Sequence, residues 1–421
     1  MPSTKADRLV VVGQGYAGLP VAIRAVAVGF DVIGYDVDGA KIKALSSGES
    51  PVEDVPNSAV MKALRSGRYE ATDDPSRVRD YDFAVIDVPT PLRDGVPDLR
   101  HVVDAATVLG RALSPGATVI LESTTYPGTT EDLVAGLLEE GSGLAAGKDF
   151  HLGYSPERID PGNPEWTFSN TPKIVSGIDE KSLLAVRNFF DRLVSQTVPV
   201  SGTREAELAK LLENTFRHVN IALVNELAMF ADAMEIDIWE AIDAASSKPF
   251  GYLRFTPGPG VGGHCLPIDP SYLSWEVRRS LGKPFRFVEL ANDINASMPD
   301  YVVTRLTRAL NRESRPVNGA RVLLLGLAYK RNTGDVRESP GMAIARRLQS
   351  LGAAVVVADP HVAPSATTLA MVDLAADELK LADAVVLVTD HDAFDYDLVS
   401  SHARYILDTR KRMQGRKVET L

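Results

Sequence analysis

The chain has a single cysteine, Cys265, in 421 residues. No intramolecular disulfide can form, which fits a reducing, cytoplasmic location. It also has no excess of positive charge. Lys and Arg number 45 against 56 Asp and Glu, a formal net charge of −11, which argues against nucleic acid or an anionic membrane as the main partner. No apolar run approaches the ~20 residues of a membrane span, and the first residues hold no apolar leader segment. The histidines other than His264 are scattered without metal-ligand spacing, so no metal is expected. Apolar residues at 45% and charged residues at 24% are ordinary for a folded chain, and the length suits two or three domains.

What is present is an alternation of short apolar runs and helical patterns. Leu9–Val12 ends in Gly13-Gln14-Gly15-Tyr16-Ala17-Gly18, a helical pattern runs from Leu19 to Val28, and a second strand, Asp31–Tyr35, ends at Asp36. Strands at Phe83–Val88, Thr118–Glu122 and His151–Tyr154 and helices across Val102–Leu113 and Thr130–Leu138 continue the rhythm. The pattern predicts an α/β fold with a doubly wound parallel sheet. Glu205–Met234 has no Gly or Pro and carries apolar residues at helical spacing, so a helix of ~45 Å is expected. The Gly/Pro-rich stretch Phe255–Pro270 then reads as a specific loop, neither helix nor sheet. After Pro316 the α/β rhythm restarts: Arg321–Gly326, Gly352–Asp359 and Ala382–Thr389 echo the first three strands. The division is 1–203, 204–315 and 316–421: two Rossmann-like domains joined by a long central helix and a helical middle domain. The second copy has Leu327-Ala328-Tyr329 where glycines would stand, so it is not expected to bind a second dinucleotide.

Gly13, Gly15 and Gly18 between a strand and a helix suit a dinucleotide. The first permits a tight turn, the second a close approach of backbone to pyrophosphate, the third close helix–strand packing. Asp36 stands where a carboxylate accepts the ribose hydroxyls; with Asp38 nearby and no Arg or Lys adjacent, NAD is favoured over NADP. Cys265 lies among glycines, with His264 and Asp269 near it in sequence. This reads as a nucleophile whose pKa its neighbours shift; the alternative is a small buried hydrophobe. Lys210 and Asn214 are four apart on the long helix and share a face, or Lys210 simply pairs with Glu207 or Glu213 on the surface. Glu157 follows a strand, a common place for catalytic side chains and for plain salt bridges. Lys330, Arg331, Arg337 and Arg410 near strand ends suit an anionic ligand or ordinary solvated charge.

Together these segments resemble the UDP-glucose/GDP-mannose dehydrogenase family. The matching motifs run in family order: Gly13–Pro20, Val88-Pro-Thr-Pro91, Ser123–Gly128, Ser155-Pro-Glu157, Glu207–Asn214, Gly262–Cys265 with Asp269, Ala328-Tyr-Lys330, Arg337–Pro340 and Asp408-Thr-Arg410. The resemblance implies an NAD-binding first domain, a dimerising central helix and a last domain that binds the nucleotide of a sugar. It implies a four-electron oxidation in which a C6 alcohol passes to aldehyde, Cys265 thiohemiacetal, thioester and uronate. Lys210 and Asn214 would stabilise oxyanions, Asp269 would accept protons, and Glu157, with Thr124 holding a water, would assist hydrolysis. Tyr16, Ala17, Pro89, Thr90, Thr124 and Arg337 join the glycines and Asp36 as expected cofactor contacts. Glu157, Arg158, Lys210, Asn214, Gly262, Tyr329, Lys330 and Arg410 are expected substrate contacts, and Lys248 or Arg254 is expected to cross into a neighbouring subunit's site. The expected partners are a nucleotide sugar and a second copy of the chain.

Two positions depart from UDP-glucose dehydrogenases: Ile268 replaces the usual Lys before the Asp, and Pro161 replaces a second Glu. The forms of 257–260, 262–270 and 213–220 look more like the branch acting on UDP-N-acetylhexosamines. UDP-glucose or another nucleotide hexose, a two-electron β-hydroxyacid dehydrogenase that needs no cysteine, and a sensor that has lost catalysis are the alternatives.

Overall fold

The computed structural model describes residues 6–52, 54–160, 163, 165–263 and 265–421; of Cys265 it describes the backbone alone. The chain forms two compact units, Met1–Glu213 with Trp275–Leu281, and Asn214–Ser274 with Gly282–Leu421.

The first unit is built on β1 (Arg8–Val12), β2 (Asp31–Tyr35), β3 (Tyr69–Thr72) and β4 (Phe83–Ile86), a short hairpin β5 (Leu92–Arg93) and β6 (Val96–Pro97), then β7 (Thr118–Leu121) and β8 (His151–Tyr154). Six of these form one parallel sheet in the order β3-β2-β1-β4-β7-β8. Helices α1 (Gly18–Ala27), α2 (Gly39–Ser47), α3 (Asn57–Arg65), α4 (Arg100–Gly110), α5 (Ala135–Ser142) and α6 (Glu180–Leu193) connect and cover it. Side chains alternate across a strand, and a sheet with helices on both faces needs apolar residues at every position. Hence Leu9 and Val11 pack with Leu19, Phe30 and Phe189, while Val10 and Val12 pack with Ile33, Leu109 and Leu121 on the other face. A separate pair, β9 (Lys173–Val175) and β10 (Thr197–Pro199), is also parallel.

Next along the chain come α7 (Thr203–Ala233), α8 (Ile238–Ser246), α9 (Cys265–Leu281) and α10 (Arg286–Arg312). The last part holds β11 (Arg321–Leu325), α11 (Pro340–Ser350), β12 (Ala354–Ala358), β13 (Ala370–Met371), α12 (Ala376–Leu381), β14 (Ala384–Leu387), α13 (Tyr396–His402), β15 (Ile406–Asp408) and β16 (Val418–Thr420). Its sheet runs β13-β12-β11-β14-β15-β16, the same winding as the first, with the order reversing beside the first strand. The α/β expectation therefore holds in both halves. One local expectation fails: α9 begins at Cys265, inside the stretch read as pure loop, and takes in Pro267 and Pro270. Pro267 is tolerated because the first four N–H groups of a helix have no intrahelical acceptor.

Candidate active site

Parallel strands place their carboxyl ends along one edge, and in the first unit five of those ends carry the candidate residues. After β1, Gly13 adopts φ +98°, and its N–H donates to Tyr35 O at 2.8 Å. A Cβ there would meet Asp87 O at 1.8 Å, and one on Gly18 would meet Gly13 O at 2.1 Å, so both positions demand glycine. A Cβ on Gly15 would meet nothing within 4 Å, and no side chain caps the N-terminus of α1. Open space facing an uncapped helix start is what a pyrophosphate requires, so these residues fit the expected dinucleotide. Tyr16 is partly exposed beside this turn, and Ala17 is the residue that caps α1.

Asp36 is buried at the end of β2. Its Oδ2 accepts from Gln14 N at 2.8 Å and from Lys41 Nζ at 2.6 Å, and Oδ1 accepts from Asp38 N at 3.0 Å. The expectation that no Lys stands beside it is therefore corrected. Asp38 caps α2 through the N–H groups of Ala40 and Lys41, and that turn brings Lys41 back onto Asp36.

After β4 come Asp87, exposed Pro89 and buried Thr90; after β7 come Glu122 and half-buried Thr124; after β8 comes Glu157. The Glu157 side chain is 16% exposed. Its Oε1 accepts from the N–H groups of Arg158, at 2.6 Å, and Ile159, and its Oε2 faces Lys173 Nζ at 3.3 Å. Lys173 also pairs with fully buried Glu122. Burial alone would raise the Glu157 carboxyl, but the Lys173 ammonium and a hydrogen bond with Glu122 outweigh it and leave the group below its ordinary range. Burial and the Glu157 charge push Asp87 up to about 7, and burial pushes Glu122 well up. Arg158 pairs with Glu213 at 2.7 Å and donates to Pro172 O at 2.7 Å.

On α7, Lys210 is buried and donates to the main-chain oxygen of Glu157. The surface-pair reading fails because its candidate partners are engaged elsewhere. Glu213 holds Arg158. Glu207 is buried and accepts from the N–H groups of Gly128 and Thr130 and from the Thr130 hydroxyl, pinning α7 to the turn after Pro127.

In the second unit Asn214 Nδ2 donates to Asp269 Oδ2 at 2.5 Å, both side chains buried. Asp269 stands one turn after Cys265 in α9. The Cys265 side chain, His264 and Pro161 lie outside the described residues. At Gly262, an expected substrate contact, and at Gly263 the protein's own groups come close. A Cβ on Gly262 would lie 2.7 Å from Tyr329 and from Glu338 O, and one on Gly263 would lie 2.5 Å from the Tyr329 ring. The glycines thus admit Tyr329, a protein side chain.

Arg410 donates to Val388 O at 2.8 Å and lies over Gly258, whose Cβ would come within 2.7 Å of its guanidinium. Lys330 is half-buried in the turn after β11. Arg337 chelates Asp335 and Arg331 pairs with Asp392, so two of the four clustered cations already have carboxylate partners. Exposed Arg254 pairs with Asp243 at 2.6 Å, and Lys248 lies 4.9 Å from the Phe250 ring centroid. At the second would-be phosphate loop, Asp359 Oδ2 accepts from Leu327 N at 2.6 Å and Ala328 N at 3.0 Å. The acid that would serve a ribose serves the loop itself.

Sequence reasoning missed Lys41, Asp87, Glu122, Lys173 and the anchoring role of Glu207. Asp87 and Glu122 directly follow strands, a signal that could have found them. Lys173 carries none. Among the described residues no group of three or more His, Cys, Asp or Glu side chains is placed to hold a metal ion, and no helix is long and apolar enough to cross a membrane.

Models of three domains match in order: the NAD binding domain of the UDP-glucose/GDP-mannose dehydrogenase family over residues 7–194, its central domain over 204–297 and its UDP binding domain over 323–415. A UDP-N-acetyl-D-mannosamine dehydrogenase of Pyrococcus horikoshii is 35% identical over 388 residues, 92% of this chain and 90% of that one. A UDP-N-acetyl-D-glucosamine 6-dehydrogenase of Salmonella typhi is 33% identical over 92% of this chain and 90% of its own. The solved structure of a UDP-D-ManNAc dehydrogenase from Pyrococcus horikoshii superimposes with a TM-score of 0.90 at 33% identity, covering 98% of each chain. With its glycine turn, its acid at the end of β2 and its three domains matched in order, the chain belongs to the UDP-glucose/GDP-mannose dehydrogenase family and is an NAD-dependent nucleotide-sugar dehydrogenase.

Proposed function

We propose that the chain oxidises the C6 alcohol of a UDP-N-acetylhexosamine to the uronate, in four electrons, through covalent intermediates on Cys265. The sugar class is supported by the relatives named above. The observation that carries the chemistry is the buried Asn214–Asp269 hydrogen bond one turn along from Cys265 in α9. NAD, when bound, supplies the hydride acceptor for both oxidations, and Asp269 takes the hydroxyl proton that leaves with each hydride.

The chain's own residues do the rest. Cys265 opens α9, and a helix start favours thiolate over thiol. Addition of that thiolate to the C6 aldehyde forms a C–S bond, and the carbonyl oxygen becomes an oxyanion that takes a proton to complete the thiohemiacetal. Asn214 has two amide N–H bonds: one holds Asp269, and the other serves the oxyanion. Lys210 has three N–H donors, one of which fixes the Glu157 main chain. One such donor is worth ~3–4 kcal/mol to an oxyanion. Oxidation of the thiohemiacetal leaves a thioester. Glu157 then takes a proton from water held by Thr124, the hydroxide adds to the acyl carbon, and the C–S bond breaks to release uronate and Cys265. Arg410 and Lys330 bind the diphosphate or nucleotide, and Arg337 the cofactor pyrophosphate.

The domains divide at 203/204 and 315/316, near the gaps between the three matched models. The working form is a dimer, through the exposed side of α7, with Lys248 or Arg254 reaching the neighbouring site. A cytoplasmic location is part of this reading, supported by the single cysteine and the nucleotide cofactor.

The test is NADH formed per sugar consumed across a panel of UDP-N-acetylhexosamines and UDP-glucose. Two per sugar is expected, with UDP-glucose the poorer substrate; a ratio of one would indicate a simple alcohol dehydrogenase. In Cys265→Ser the first oxidation is expected to continue while uronate release falls by at least ~100-fold. Normal uronate release by that variant would remove Cys265 from the mechanism.

A further inference from the structure

The carboxyl edge of the first sheet holds more acid than the proposed reaction uses. Asp87, Glu122 and Glu157, from three different strand ends, share two ammonium groups, Lys173 between Glu122 and Glu157 and Lys210 beside Glu157. Glu122 is fully buried and Lys173 is 4% exposed. Lys173 Nζ lies 5.6 Å from the Phe168 ring centroid and 5.2 Å from that of Phe190. A buried ammonium held over two aromatic rings has few positions to occupy. It contacts Glu122 on one side and Glu157 Oε2 at 3.3 Å on the other.

Were all three acids ionised, they would face the ammonium groups of Lys173 and Lys210 and the enclosed set would carry −3 + 2 = −1, an unbalanced charge that low-dielectric surroundings disfavour. At least one acid keeps its proton. The geometry says which. Glu157 has two main-chain N–H donors on Oε1 and the ammonium on Oε2. Glu122 Oε2 is buried with no hydrogen-bond partner, so Glu122 is the acid whose ionised form is least compensated. A hydrogen bond with Glu122 is itself among the influences that lower Glu157.

We propose that Lys173 is a positioning residue that keeps the Glu157 carboxylate ionised and correctly turned for thioester hydrolysis, while neighbouring Glu122 holds the proton. This rests on the role given to Glu157 above. The groups facing Glu157 are Lys173 from β9, Glu122 after β7, Asp87 after β4 and Lys210 from α7. Burial alone would drive Glu157 upward; Lys173 is the largest influence in the opposite direction.

The experiment is Lys173→Met, read by stopped-flow NADH and by the mass of acid-quenched enzyme during turnover with NAD and the preferred UDP-sugar. First-turnover NADH should stay within about threefold of the parent. Deacylation should slow by about tenfold or more at neutral pH, with the acid limb of its pH profile moving up by about one pH unit or more. Enzyme carrying the uronyl mass should then accumulate. Lys173→Arg should restore most of the deacylation rate. An equal loss in both phases, or an acid limb that stays in place, overturns the proposal. Should Lys173→Met fail to fold, Lys173→Met/Glu122→Gln removes the buried carboxyl left without its ammonium and carries the same readouts. Glu157→Gln separates this inference from the reading beneath it. If Glu157→Gln accumulates no acyl-enzyme, the role of Glu157 is wrong; if it accumulates and Lys173→Met does not, only the role of Lys173 fails.

Discussion

At Asp36 one carboxylate receives two main-chain N–H groups and the Lys41 ammonium. The charge that discriminates against a 2′-phosphate is thus held beside a cation that would welcome one. Asp36→Ala is expected to lower kcat/KM for NAD by ~10–100-fold, the worth of a charged hydrogen bond, and to raise it for NADP as Lys41 is released. Adding Lys41→Ala should cancel the NADP gain, which steady-state kinetics with both cofactors would show. Asp36 was legible because its place after β2 follows from strand periodicity. Lys41 was not: five residues on, its approach depends on Asp38 capping α2, a turn that linear distance conceals. Lys173 and Glu122 are 51 residues apart in chain and meet only because β7, β8 and β9 converge. Lys210 and Asn214 were legible as helix neighbours, whereas their partners, the Glu157 main chain and Asp269, required tertiary structure.

Among the elements, the central strands of both parallel sheets could be read from apolar runs because both their faces are covered, whereas β3, with Glu70 and Thr72, and the short β13, β15 and β16 offered no such run. The start of α9 was hidden by its own composition, since glycine and proline signal loop even where a proline occupies the first turn of a helix. The turn after β11 differs from its counterpart after β1 in how its N–H groups are used. Burial alone would raise Asp359, but His391 Nε2 at 3.1 Å and the N–H groups of Ala328 and His361 hold it down at about 2. A carboxyl depressed below its unfolded value stabilises the fold fully above about pH 4, and that contribution is lost as pH falls through about 2. Asp359→Asn should therefore cost about 2 kcal/mol at pH 7. Urea unfolding of parent and variant should converge between about pH 4 and pH 2; a difference constant with pH would assign the effect to lost hydrogen bonds alone.

For the whole molecule, the exposed side chains of Phe216, Leu223, Leu227 and Phe230 on α7, and of Met234 directly after it, are 44–68% accessible. Their spacings of seven, four, three and four residues keep them on one side of the helix. A second copy of α7 is the occupant proposed for that stripe. Leu223→Glu/Leu227→Glu is expected to give a monomer by light scattering, with the secondary structure of the parent. A variant that stays dimeric would move the contact elsewhere.

The self-sealed turn at Asp359 also sets a stoichiometry. Although two sheets share one winding, the first turn leaves space beside Gly15 while Asp359 takes up the N–H groups of the second, so calorimetric titration with NAD is expected to saturate at one equivalent per chain. A substrate that must give up two electron pairs therefore has to outlast a change of cofactor. On the mechanism proposed, the chain meets that requirement by tethering its half-finished sugar rather than by building a second port.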